Sequence, residues 1–70
     1  LRTQIVRTDH RDRTLLELHG RTAICEYCGS DEWIWDIVGR QTPTGIHVTK
    51  ESAELSASEW LVTEALKEPT

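Results

Sequence analysis

The chain has 70 residues, 37% of them apolar, with no Phe or Met, and its eight Lys and Arg against twelve Asp and Glu give a formal charge of −4. A domain this small buries only about 60% of its unfolded surface, so help from a metal or a partner is expected. The acidic balance disfavours a broad phosphate-binding face, no apolar run approaches the ~20 residues of a membrane span, and a lone pair of cysteines is no secreted disulfide framework.

Charge is unevenly spread. Residues 1–21 hold Arg2, Arg7, Arg11, Arg13 and Arg21 against three acidic groups, whereas residues 22–70 hold three basic and nine acidic side chains. This divides the chain into an Arg-rich arm, 1–13, and a single small domain, 14–70. Residues 1–6 read as a short strand or arm. Residues 7–13, polar throughout, read as a solvated loop. Starting on Leu, the chain looks processed or trimmed, and no leader is visible.

Residues 14–18 and 21–25 are strand-like runs separated by His19-Gly20, a two-residue hairpin signal in which both loop residues tolerate positive φ. A helix through Leu15, Leu16 and Leu18, ended by Gly20, is the alternative. Cys25-Glu26-Tyr27-Cys28-Gly29 follows, then a polar turn, 29–32. Residues 33–38 (Trp-Ile-Trp-Asp-Ile-Val) make the strongest strand, with Trp33, Trp35 and Ile37 on one face and Ile34, Asp36 and Val38 on the other. A loop, 39–45, leads to a return strand, 46–49; pairing Val38 with Gly45 would set Asp36 opposite His47.

The last element is a helix. Ser56 and Glu59 fit a capping box, and Ala57, Trp60, Leu61 and Ala65 form a stripe that Val62 and Leu66 widen. Pro69 would stop it. Residues 50–55 read as a loop or a broken first turn, with Thr49 as an alternative, earlier cap.

Two thiolates two residues apart can share one metal ion. The run over residues 21–38, Cys-x-x-Cys-Gly between two strands, resembles the knuckle of zinc ribbons and treble-clef zinc domains. That resemblance implies a zinc ion held by Cys25 and Cys28 with two further ligands. A second Cys-x-x-Cys is absent, so His10 and His47 are the candidates, or a second copy's thiolates. His19 lies at the hairpin tip, away from Cys25. The run also resembles the knuckle of some HNH endonucleases, but their Asp-His pair follows the knuckle and Asp9-His10 precedes it, so no nuclease activity is carried over.

A dithiol redox protein is an alternative, although Glu26, Asp31 and Glu32 would oppose thiolate formation. No phosphate-cradling glycine motif occurs, and Ser56 and Ser58 are explained by capping. Trp35 and Trp60 are expected in the core. Trp33, Ile34 and Val38 are the candidate partner-binding residues, because one helix cannot cover both faces of their strand.

The sequence thus predicts an α+β domain with short hairpins around a zinc knuckle and one C-terminal helix. The expected role is a non-enzymatic, zinc-stabilised protein-interaction module, an accessory subunit or regulator of a larger or homo-oligomeric assembly, cytoplasmic or virion-associated. A nucleic-acid regulator using Arg7, Arg11 and Arg13 is the second expectation.

Overall fold

A computed structural model of the chain describes residues 4–40 and 44–67. Five strands form one antiparallel sheet in sequence order: β1 (Val6–His10), β2 (Arg13–Leu18), β3 (Arg21–Tyr27), β4 (Trp33–Ile37) and β5 (Gly45–His47). One helix, α1 (Lys50–Lys67), packs across a single face of it, against β2 to β5. The α+β class expected from the sequence is therefore what the chain adopts. Arg2, the Pro43 segment of the loop and Pro69 lie outside the described residues.

The His19-Gly20 hairpin forms as read: Leu18 pairs with Arg21, and the loop residues take φ of 53° and 78°, the pair of positive values that a type I′ turn needs. The competing helix through Leu15 is not formed. Residues 7–13, read as a solvated loop, instead supply β1 and its turn. All of β1 is exposed, yet it pairs along its length with β2, from Val6↔Glu17 to His10↔Arg13. Its alternation of Val, Thr and His with Arg and Asp is a two-sided edge strand, which composition alone makes look like loop.

The register of the last hairpin also differs from the expected one. Trp35 pairs with Gly45 and Trp33 with His47, so Asp36 is not opposite His47. A turn beyond Ile37, closed by Arg40 N–H donating to the Ile37 carbonyl at 3.0 Å and containing Gly39 at φ 100°, takes up the residues that the expected register had paired.

Thr49, the earlier of the two caps considered, starts the helix. Its Oγ1 accepts the Ser52 N–H at 3.1 Å, and its carbonyl accepts the Ala53 N–H at 3.2 Å. Residues 50–55 are thus helical rather than a loop or broken turn. The buried stripe runs Ala53, Ala57, Leu61, Ala65 at a spacing of four, with Trp60 and Val62 flanking it and Leu66 exposed. Three alanines let the helix axis approach the sheet closely; Leu61 alone reaches deep. The core beneath consists of Leu16, Leu18, Ala23, Cys25, Trp35 and Ile37.

Candidate functional site

Alternation fixes what each strand shows on each side. Thr14, Leu16 and Leu18 of β2, Ala23 and Cys25 of β3, and Trp35 and Ile37 of β4 face the helix and are buried. The residues between them face outward: Leu15, Ile24, Ile34 and Ile46. Leu15 pairs with Ile24 and Ile34 with Ile46, and the two pairs meet diagonally across β3 and β4, making one aliphatic stripe over four strands. Ile46 is 65% exposed and Val38, beyond the end of β4, 61%. No element among the described residues lies over this face. Arg13, Glu17, Glu26 and Asp36 surround the stripe, three of the four acidic.

The sequence candidates for partner binding are therefore divided. Ile34 and Val38 belong to the open face. Trp33 turns the other way, 5.2 Å ring to ring from Tyr27, with the Lys50 ammonium 5.7 Å from its ring centre.

The proposed metal ligands are divided too. β3 runs extended through Glu26 and Tyr27, which pair with Ile34 and Trp33, so the dipeptide between the cysteines is strand rather than the tight bend of a knuckle. Three residues of strand span about 10 Å, whereas thiolates on one zinc each lie about 2.3 Å from it. Cys25 is wholly buried; Cys28 is exposed, its Sγ 3.4 Å from the Glu32 carbonyl. His10 pairs with Arg13, one position from the Thr14↔Cys25 pair, and so shows the opposite face of the sheet. His47 Nδ1 lies 2.9 Å from Ser52 Oγ at the start of the helix. Among the described residues no three His, Cys, Asp or Glu side chains are grouped to hold a metal. As arranged, these donors do not fit a tetrahedral zinc site.

Burial, and secondarily the charge of Glu54, pushes the Cys25 thiol up to about 11. A thiol whose pKa rises on folding stabilises the fold fully below its unfolded value, near 9, and loses that contribution as pH climbs through about 11. The expected result is a native protein in which the exposed Cys28 alkylates readily and Cys25 only on unfolding, with thermal stability falling above pH 9. Mass-resolved iodoacetamide labelling over time tests the first part. Two equally fast thiols would contradict it.

The arginines do not form one patch either. Arg7 lies on the helix side, Arg11 in the β1–β2 turn and Arg13 on the open face opposite Glu26. Arg7 belongs to a polar cluster that the sequence did not reveal. Glu54, buried on α1, accepts from Thr14 Oγ1 at 2.6 Å and from Arg7 Nη2 at 3.1 Å. Lys50 Nζ donates to Asp9 Oδ1 at 2.6 Å and to the His10 carbonyl at 3.0 Å. The hydrogen bond from Lys50 comes first among the interactions that hold the Asp9 carboxyl below its usual range. Fixed charges here neutralise one another, which ties β1 to a helix that does not otherwise pack on it. Placing the cap at Ser56 had put Glu54 in a loop; from Thr49, its position beside Ala53 and Ala57 is evident.

Two depressions indent the described surface, one of about 230 Å³ lined by Gln4, Val6, Glu17, Leu18, His19 and Gly20, the other along Ser58, Glu59, Val62 and Thr63. Of the residues around the stripe only Glu17 reaches the first, and neither contains a candidate metal ligand or a residue of the stripe itself. No family model, curated protein or solved structure matches the chain. The functional reading therefore rests on the geometry of these surfaces. No helix among the described residues is long and apolar enough to cross a membrane.

Proposed function

We propose that the protein is a non-enzymatic interaction module that docks on a larger protein through the open face of its sheet. The observation that carries this reading is the aliphatic stripe Leu15, Ile24, Ile34, Ile46 on the sheet face that no described element covers, Ile46 exposed and the other three half-buried. Antiparallel sheets with one solvated face normally show polar side chains there. A chain with so little apolar material that still turns four branched aliphatics outward gains less from them as a monomer than it would by burying them against a partner. The partner that fits is a protein surface with an apolar centre and a basic rim, matching Glu17, Glu26 and Asp36 around the stripe. Zinc is no part of this reading; the core closes over Cys25 as an apolar residue.

The test begins with a photo-crosslinking residue at position 34, which identifies the partner in the source cells. Rebinding is then measured with purified components. Ile34→Asp is expected to weaken binding at least tenfold while leaving the circular dichroism spectrum intact, and affinity should fall only shallowly with salt, as the rim charges are screened. Arg11→Ala, in the β1–β2 turn, should bind as wild type does. A steep loss with salt, together with dependence on Arg11 and Arg13 and binding to a random duplex oligonucleotide, would overturn this reading in favour of the nucleic-acid one.

A further inference from the structure

The free edge of β1 carries an inference of its own, separate from the open face. In a two-residue hairpin the closing pair exchanges both of its backbone hydrogen bonds; here that pair is His10↔Arg13. Alternation then commits the backbone groups of His10, Thr8 and Val6 to β2. Those of Arg7 and Asp9 point away from the sheet, at an edge the helix does not cover. Such an edge is a template for another strand unless something blocks it. Nothing in β1 does so by shape, because it holds no Pro and no bulge.

We propose that β1 pairs antiparallel with β1 of a second copy of this chain, about a two-fold axis through Thr8. In that register Arg7 lies opposite the second copy's Asp9 and Asp9 opposite its Arg7. Both are positions where the outward N–H and C=O groups are waiting. Thr8 meets its own symmetry mate as a non-hydrogen-bonded pair, the closer of the two kinds. Opposite charges and Thr–Thr contacts are both favourable across strands.

The side chains have capacity left for this. Arg7 and Asp9 are each about half exposed, at 51% and 55%. The guanidinium has five N–H donors, of which Nη2 serves Glu54. Asp9 Oδ1 is taken by Lys50, while Oδ2 sits 3.6 Å from its own Arg7 and faces no closer cation. The sequence also selects this register. Moving the axis to Arg7 sets Arg7 against Arg7, and moving it to Asp9 sets Asp9 against Asp9 and Arg7 against Arg11, all like charges. The product is a continuous ten-stranded sheet with both helices on one face and the two aliphatic stripes on the other. One short strand pair buries less than the surface of a standard stable interface, so the dimer is concentration-dependent rather than obligate.

Sedimentation velocity on the full chain over a broad concentration range should show monomer passing to dimer. Arg7→Asp and Asp9→Arg, each placing two like charges on the edge, should each remain monomeric throughout. An equimolar mixture of the two should dimerise again, because each strand then supplies what the other lacks. Thr8→Cys on a Cys28→Ser background should form a disulfide-linked dimer on mild oxidation, and Val6→Cys on the same background should not. If either charge variant fails to fold, the cysteine pair decides the matter. A chain monomeric at every concentration, equal cross-linking at 6 and 8, or a dimer abolished by Ile34→Asp and indifferent to the charge swaps would each overturn the proposal. The last result would place the self-contact on the open face instead.

Discussion

Leu61→Ala is expected to lower the stability of this domain by about 3 kcal/mol, within the range seen when a fully buried leucine is cut to alanine. Leu61 is 1% exposed and the bulkiest of the fully buried side chains. It enters the space between Leu16, Leu18, Ala23, Cys25, Trp35 and Ile37, where its helical neighbours in the stripe are Ala53, Ala57 and Ala65. Those alanines hold the helix close to the sheet and cannot move to fill a hole. The lost volume stays as a cavity. A chain of this length has on the order of 5 kcal/mol in total, so the variant should be largely unfolded at modest urea concentrations. Leu55→Ala serves as the comparison, since Leu55 is 62% exposed on the same helix and should shift stability by less than about 0.5 kcal/mol. Urea denaturation followed by circular dichroism reads both. Equal midpoints for the two variants would mean that the helix does not pack through Leu61.

What the sequence disclosed, and what it hid, follows from the range of each signal. The His19-Gly20 turn and the faces of β4 were legible because both are local, one set by positive φ and the other by a two-residue period. β1 was hidden by its composition. Every residue of an edge strand lying beyond the helix can be polar on both sides, and Arg7-Thr8-Asp9-His10 is. The start of the helix was misplaced because two capping signals competed. Ser56 and Glu59 satisfy the capping pattern locally, but a helix beginning there would leave Ala53 and Glu54 off the sheet, and packing favours Thr49. The cysteine motif shows how a local pattern depends on the backbone that carries it. Two thiolates reach one metal ion most readily where the chain bends between them, and here pairing with Ile34 and Trp33 extends that dipeptide, which spacing alone does not reveal. By contrast, one sequence inference of lasting value was geometric: a strand with apolar residues on both faces cannot be covered by a single helix. The uncovered face is the one that carries Ile34 and Val38.

Gly45→Ala gives the sharpest test of how β4 and β5 fit together, because its effect should have the sign opposite to that of an ordinary glycine replacement. Gly45 is not at positive φ, so alanine there carries no backbone strain, and stiffening the unfolded chain would by itself stabilise by about 0.4–1 kcal/mol. Space decides otherwise. A β-carbon at this position would sit 2.5 Å from Trp35 Nε1 and 3.2 Å from its Cδ1. The indole's nitrogen-bearing edge crowds the glycine of its cross-strand partner, and the ring is itself in the core, so it cannot swing aside cheaply. The expected result is a loss of about 1–3 kcal/mol, the usual cost of overpacking. Trp35→Phe supplies the second corner of a double-mutant cycle. Trp35 Nε1 has no hydrogen-bond partner among the described residues, so removing it breaks no bond and leaves only the cost of lost volume. In that background Gly45→Ala should cost at least about 1 kcal/mol less than it does alone, the size of coupling expected for residues in contact. Stability unchanged or raised by Gly45→Ala in the native background would show that the Trp35↔Gly45 register is wrong, and with it the placement of Ile46 beside Ile34 on the open face.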